Sequence, residues 1–209
     1  LDVLTDPKFP EVDCLLRQGR HVGQEDLTTY TFLVEAQSLL NSFYRNYNCK
    51  IIRSSDEVGD FFFLHSYGDL LGKRKLSVQA MKVGMALGFM ISDPEYIDRR
   101  IPVDRLISTL KMLLGEDRFQ DDFAPRARGR NTDRDEERAQ KAVETAIRQL
   151  ADLGFVYFPK KNPVINVLSP IYRFLEPIRG IGRIEDAIQR LIKEGVVEDL
   201  DDEDIENFN

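Results

Sequence analysis

The side chains in this chain best suited to chemistry are arginines and lysines between residues 126 and 161. Arg126, Arg128 and Arg130 alternate through a stretch that also holds Pro125 and Gly129. Arg134, Arg138, Lys141 and Arg148 follow at helical spacing, on the side away from the apolar stripe of their segment. Lys160 and Lys161 stand in a Pro-Lys-Lys-Asn-Pro turn. The chemistry is phosphate contact, because cations beside a helix N-terminus add to the backbone amides there. Arg126, Arg128, Arg130, Arg134, Lys160 and Lys161 are therefore the candidate DNA-binding residues, clamping the backbone without reading bases. A plainer reading stands beside this one. Glu137 precedes Lys141 by four and Glu144 precedes Arg148 by four, the favourable order for surface ion pairs on a solvated face.

Catalysis finds little support. His21 and His65 lie far apart in sequence and read as structural. No GxGxxG, P-loop, HExxH or GxSxG pattern is present, so no catalytic, cofactor-binding or metal-ligating residues are assigned and an enzyme is not expected. Cys14 and Cys49 form no CxxC pair, which argues against a zinc site and a disulfide framework and for a reducing cytoplasm. Met81, Met85, Met90 and Met112 lie on or near apolar faces and read as core filling.

The elements that must position the cations repeat. A long amphipathic helix runs straight into a short aromatic hairpin, twice. The first copy is Thr28 to Tyr47, then Cys49 to Arg53, a polar turn, and Phe61 to Leu64. The second is Thr132 to Leu153, then Phe155 to Phe158, the lysine turn, and Val164 to Leu168. In the first helix apolar residues at 32, 36, 39, 43 and 47 form one stripe, and Asn48 is a suitable left-handed terminator. In the second, Ala139, Val143, Ala146, Leu150 and Leu153 form the stripe. Thr132 with Asp135 suggests a cap, and Gly154 ends the helix. Shorter helices are expected over 11–18, 76–91 and 105–114, with Ile101 to Asp104 an extended link before the last. Residues 117–131 show no periodicity and are expected to be a loop. Ile171 to Ile181, with Pro170 and Pro177, has no clear periodicity.

Helix, extended link, helix, long helix, hairpin is the order of a winged helix. The expected fold is mostly α with small β-wings, as tandem winged helix domains. The divisions are a first winged helix over 1–67, a linker over 68–75, a second winged helix over 76–182, a C-terminal helix over 183–197 and an acidic tail over 198–209. The tail carries seven of the 36 acids, and the remaining 29 match the 29 lysines and arginines. The net charge of −7 thus belongs to the tail, which is expected to be disordered. Its plain role is a solubilising end, and its functional alternative is an interaction tail or a mimic of nucleic-acid charge. Leu1 to Pro10 lacks a basic region followed by an apolar core, so no secretory signal is expected there. The longest apolar run, Val83 to Ile91, is far too short for a membrane span.

Phe32, Phe43 and Tyr47 on the first helix and Phe61 and Phe63 on its strand carry more bulky apolar surface than a small domain buries. A homodimer using these residues as its interface is expected.

Phe9-Pro10, Asp13, Leu16-Arg17, Gly19-Arg20-His21 and Gly23 resemble the start of the MukE family, the kite subunits of Muk-type bacterial condensins. The resemblance continues through Phe43-Tyr44, Tyr47-Asn48, Ile51-Ile52-Arg53 and Phe62-Phe63-Leu64, and returns at Leu150, Leu153-Gly154 and Val156. It is weak over 117–131. It implies a tandem winged helix protein that dimerises and binds a kleisin subunit (MukF-like). Through that kleisin it would act with an SMC-like ATPase (MukB-like) in chromosome condensation and segregation, in the cytoplasm at the nucleoid. Non-specific DNA contact is compatible with that role. The alternatives are a stand-alone winged helix transcription regulator, which should bind a defined DNA site, and an assembly module with no DNA contact.

Overall fold

A computed structural model describes residues 3–55, 59–71, 74–125, 132–161 and 163–178, with backbone only at 132–134 and 176–178. The first unit contains α1 (Phe9–Arg17), β1 (Val22–Gly23), α2 (Leu27–Tyr44), β2 (Cys49–Ser55) and β3 (Asp60–Ser66). The second contains α3 (Val78–Ile91), β4 (Arg100–Pro102), α4 (Val103–Leu114), α5 (Glu116–Phe123), α6 (Thr132–Asp152), β5 (Val156–Tyr157) and β6 (Val164–Val167). A 3-10 segment over Ser169–Ile178 follows. The chain is mostly α with two small antiparallel sheets.

Both sheets have the same plan. The strand that precedes the helices pairs with the last strand of the hairpin, giving the orders β1-β3-β2 and β4-β6-β5. The short β1 places Val22 opposite Phe62, and β4 places Ile101 opposite Ile165. Each sheet thus closes over its own long helix. The first unit has no helix between its first strand and α2, whereas the second has α4 and α5 in that place.

Local chemistry explains the boundaries. Asp26 caps α2 by accepting from the Thr29 amide at 3.2 Å. Asn48 takes the left-handed conformation, φ 57°, where the chain turns from α2 through a short 3-10 turn into β2. Ser77 caps α3, a helix buried nearly all round at the centre of the second core. Ala139, Val143, Ala146 and Leu150 on α6, and Leu153 just past its end, are all buried, so the stripe read from the sequence is the one that packs.

Two expectations are corrected. Residues 116–123 form α5 rather than a loop, because Phe119 and Phe123, four apart, stack at 5.1 Å and bury in the second core. The stripe of α2 also shifts. Thr29, Leu33, Ala36, Leu40 and Tyr44 face the core, and Leu39 is 54% exposed. The helix is apolar on more than one face, so its periodicity fits two registers, and packing selects one. The capping side chain of Thr132, the expected helix at 183–197 and the acidic tail lie outside the described residues.

Candidate nucleic-acid interface and the joint between the units

The cationic surface is built on α6 and on the hairpin that follows it. Arg126, Arg128 and Arg130 lie outside the described residues, and of Arg134 only the backbone, in the first turn of α6, is described. Lys160 and Lys161 are exposed in the turn between β5 and β6. Farther along α6 the basic residues are engaged. Arg138 pairs with Asp135 at 3.4 Å, Lys141 with Glu137 at 3.9 Å and Arg148 with Glu144 at 3.9 Å. These are exposed pairs worth a few tenths of a kcal/mol each. They make the middle of the helix a self-neutralised face and leave the wing turn as its described positive end. The guanidinium of Arg148 also lies 5.6 Å from the centre of the Phe158 ring at the base of that turn.

The residues expected at a dimer interface make contacts within the chain. Phe32 belongs to the first core. Phe43 meets the Phe9 ring edge-on at 5.6 Å, and Tyr47 lies under the Arg17 guanidinium at 4.6 Å, so both pack within the unit. Phe62 faces the first core, while Phe61 and Phe63 point to the other side of β3 and are only 1% and 8% exposed. What covers them is the second half of the same chain. Their burial therefore gives no argument for a second copy, and a self-association surface has to be sought on what stays exposed.

That covering region is a joint between the two units. His21 is its centre. Its backbone amide donates to the Leu153 carbonyl at 2.8 Å and its Nδ1 lies 3.2 Å from the same oxygen. Nε2 stands 2.7 Å from Arg173 Nη1. Since arginine can only donate, Nε2 is the acceptor and the imidazole proton sits on Nδ1, shared with Leu153. The ring is flanked by Phe63 at 5.3 Å and Phe155 at 4.3 Å, and Arg173 lies 4.2 Å over Phe63. Beside it, Glu25 Oε1 accepts from both the amide and the hydroxyl of Ser169 at 2.7 Å. Arg99, at φ 55°, reaches Ser169 Oγ at 3.2 Å and Glu25 at 3.7 Å.

Among these residues His21, Phe63, Leu153 and Phe155 drew notice in the sequence, none of them for this joint. Glu25, Arg99, Ser169 and Arg173 carry no local signal, because each finds its partner across 70 or more residues. The histidine holds the joint together structurally.

Burial, and then the adjacent charge of Arg173, hold the His21 imidazole well below its ordinary pKa. The unfolded chain therefore takes up a proton near pH 6.5 that the folded chain refuses. The stabilisation is fully present above about 6.5 and is lost as pH falls from there toward the folded value, by up to about 1.4 kcal/mol per pH unit. Melting temperature should fall between pH 7 and pH 5, and His21→Asn should flatten that fall. Equal slopes in the two proteins would remove His21 as its source.

The two matched sheets, each closing over a long helix that leads into a hairpin, define a tandem winged helix protein. The chain belongs to the MukE-like family, whose model matches residues 1–208. Among its relatives, chromosome partition protein MukE of Photobacterium profundum is 31% identical over 194 residues, covering 92% of this chain and 81% of that protein. The protein of the same name from Histophilus somni is 32% identical over 196 residues, covering 92% and 78%. That of Vibrio cholerae is 30% identical over 194 residues, covering 92% and 82%.

Proposed function

We propose that this chain is a non-catalytic subunit of a bacterial SMC-type condensin complex. It binds the kleisin subunit and supports chromosome condensation and segregation at the nucleoid. The observation that carries this reading is the whole-chain match to the MukE-like family, joined by relatives named as chromosome partition proteins. No described helix is long and apolar enough to cross a membrane. The test is a pull-down with the kleisin encoded in the same genome, followed by mass measurement in solution. Co-elution of the two chains is the expected result. Tight binding to one defined DNA site, with no capture of the kleisin, would favour a transcription regulator.

Self-association is part of the proposal, and α2 supports it. Its solvent-facing arc holds Leu27, Thr31, Val34, Ser38, Leu39 and Ser42, and Glu35 is the one charged residue in the helix. Val34 is 43% exposed. An 18-residue helix with so little charge on its open side fits a second copy of itself. Val34→Asp with Leu39→Asp should turn a dimer into a monomer by light scattering while the melting temperature stays within a few degrees, because neither side chain lies in the core. A dimer that persists in this variant would place self-association elsewhere.

DNA contact is the other part. Arg126, Arg128, Arg130 and Arg134 precede or open α6, and Lys160 and Lys161 sit on the wing that follows it. Together they suit the backbone of a duplex. Arg126/Arg128/Arg130→Glu should weaken binding equally on unrelated sequences. Each lost phosphate contact should flatten the log–log salt dependence by about 0.9. Unchanged affinity and slope, measured with the kleisin present, would leave only a solvated face.

A further inference from the structure

We propose that the outer face of the second sheet is a contact surface for a single strand of nucleic acid, with Tyr157 as its stacking platform. The proposal rests on the reading above that the chain works on DNA. The inner face of this sheet is filled by Ile101, Val156, Ile165 and Val167, all buried in the second core. Side chains alternate along a strand, so Arg100, Tyr157 and Asn166 point away from that core. The register sets the three side by side, with Asn166 opposite Arg100 on one flank and opposite Tyr157 on the other. Arg100 and Tyr157 are therefore about 10 Å apart across three strands.

This row is neither core nor an internal network. Tyr157 is 61% exposed and Arg100 is exposed. The side chains of Arg100, Tyr157 and Asn166 make no hydrogen bond or ion pair among the described residues. Arg17, Arg53, Arg99, Arg138 and Arg148 each have a carboxylate partner. The surroundings are basic. Lys160 and Lys161 lie in the turn that leaves β5. Arg105 stands in the first turn of α4, whose Val103 amide donates to Pro163 in that same turn at 3.0 Å. Asp98 is occupied with the Arg100 amide at 3.1 Å, and Asp104 is the other acid of this stretch.

An exposed tyrosine, an arginine with no carboxylate and an amide in one row, edged by lysines, combine a π-face with phosphate donors. That is the combination single strands use. A duplex offers only groove edges and backbone, and a flat three-stranded sheet cannot enter a groove. The surface shares Lys160 and Lys161 with the proposed duplex contact and adds Arg100 and Tyr157, the π-face and donor that an unpaired strand can use.

Fluorescence anisotropy with a labelled oligo-dT and a duplex of equal length, on the full chain, tests this. The single strand should bind more tightly. Tyr157→Ala should weaken it about tenfold, as loss of one stacked base does, and Tyr157→Phe should keep most of the affinity. Arg100→Ala should lower the salt slope on the single strand by about 0.7. Both positions are on the surface, so melting temperatures should not move.

Unchanged oligo-dT affinity in Tyr157→Ala overturns the proposal. So does a duplex preference that none of the variants alters. Loss of kleisin co-elution in Tyr157→Ala, with oligo-dT binding intact, also overturns it and assigns the face to a protein. Failure of the wild-type chain to capture its kleisin would sink the condensin reading instead, and the anisotropy series would still decide this one.

Discussion

Gly154→Ala should cost about 3 kcal/mol and lower the melting temperature by roughly 6–12 °C. Two effects act together at this position. Gly154 has φ 78°, where an added Cβ costs about 1–2 kcal/mol of backbone strain. That Cβ would also stand 2.3 Å from the His21 carbonyl oxygen, a backbone atom that cannot swing aside. Relief requires α1 and β1 to move away from the C-terminal end of α6. That movement breaks the paired contacts of His21 with Leu153.

Gly115 supplies the internal control. It has φ 81° and ψ 151°, a region nearly exclusive to glycine, and nothing within 4 Å of its would-be Cβ, so Gly115→Ala should show backbone strain alone, about 1–3 kcal/mol. Thermal melts of the two variants side by side make the test. If Gly154→Ala is no worse than Gly115→Ala, the close approach of the units at His21 is not a constraint on the folded chain.

The contrast between these glycines shows what the sequence could disclose. Both end helices, and for Gly154 that was legible, because the positive-φ requirement is local. That one of them also bears the joint between two units is a contact across more than 130 residues, and no periodicity reports it. Phe61-Phe62-Phe63 behaves the same way. Alternation shows that a second face needs cover, but whether a partner copy or the chain's own second half supplies it depends on the fold. Strand β1 has two residues and exists only because β3 lies beside it. Helix α5 was hidden by composition, since Glu116, Asp117, Arg118, Asp121 and Asp122 outweigh its two phenylalanines. The wing lysines were legible because a turn between two apolar runs must be exposed. Pairing along α6 was legible because i, i+4 geometry is local. The row Arg100–Asn166–Tyr157 was not, because its members come together only through strand register.

Asp122→Ala should destabilise the second unit by about 3 kcal/mol. Lys82 lies on α3 among residues that are nearly all apolar, and its side chain is 6% exposed. Its ammonium pairs with Asp122 Oδ2 on α5, and Gln79 donates to the Asp122 carbonyl at 3.1 Å. Removing the carboxylate leaves an uncompensated charge in the core, which is the costly way to break such a pair. Removing the lysine is cheaper. The Asp122 side chain is 23% exposed and can turn to water, so Lys82→Met should cost about 1 kcal/mol or less, with its length and apolar stem retained.

The double variant Lys82→Met/Asp122→Ala should therefore recover most of what Asp122→Ala loses. Chemical denaturation of the four proteins measures this as a coupling energy. An Asp122→Ala cost below about 1 kcal/mol, or a double variant no better than that single one, would show the ammonium reaching solvent and the pair contributing little. The pair also bears on the interface. Helix α5 ends at Phe123 and the described chain runs on to Pro125, so the ion pair that seats α5 on α3 positions the segment that leads toward residue 126. On the proposed duplex contact, Asp122→Ala should weaken duplex binding at temperatures well below its melting point, and Lys82→Met/Asp122→Ala should restore it. A stability loss with duplex affinity unchanged would uncouple the arginine stretch from the seating of α5.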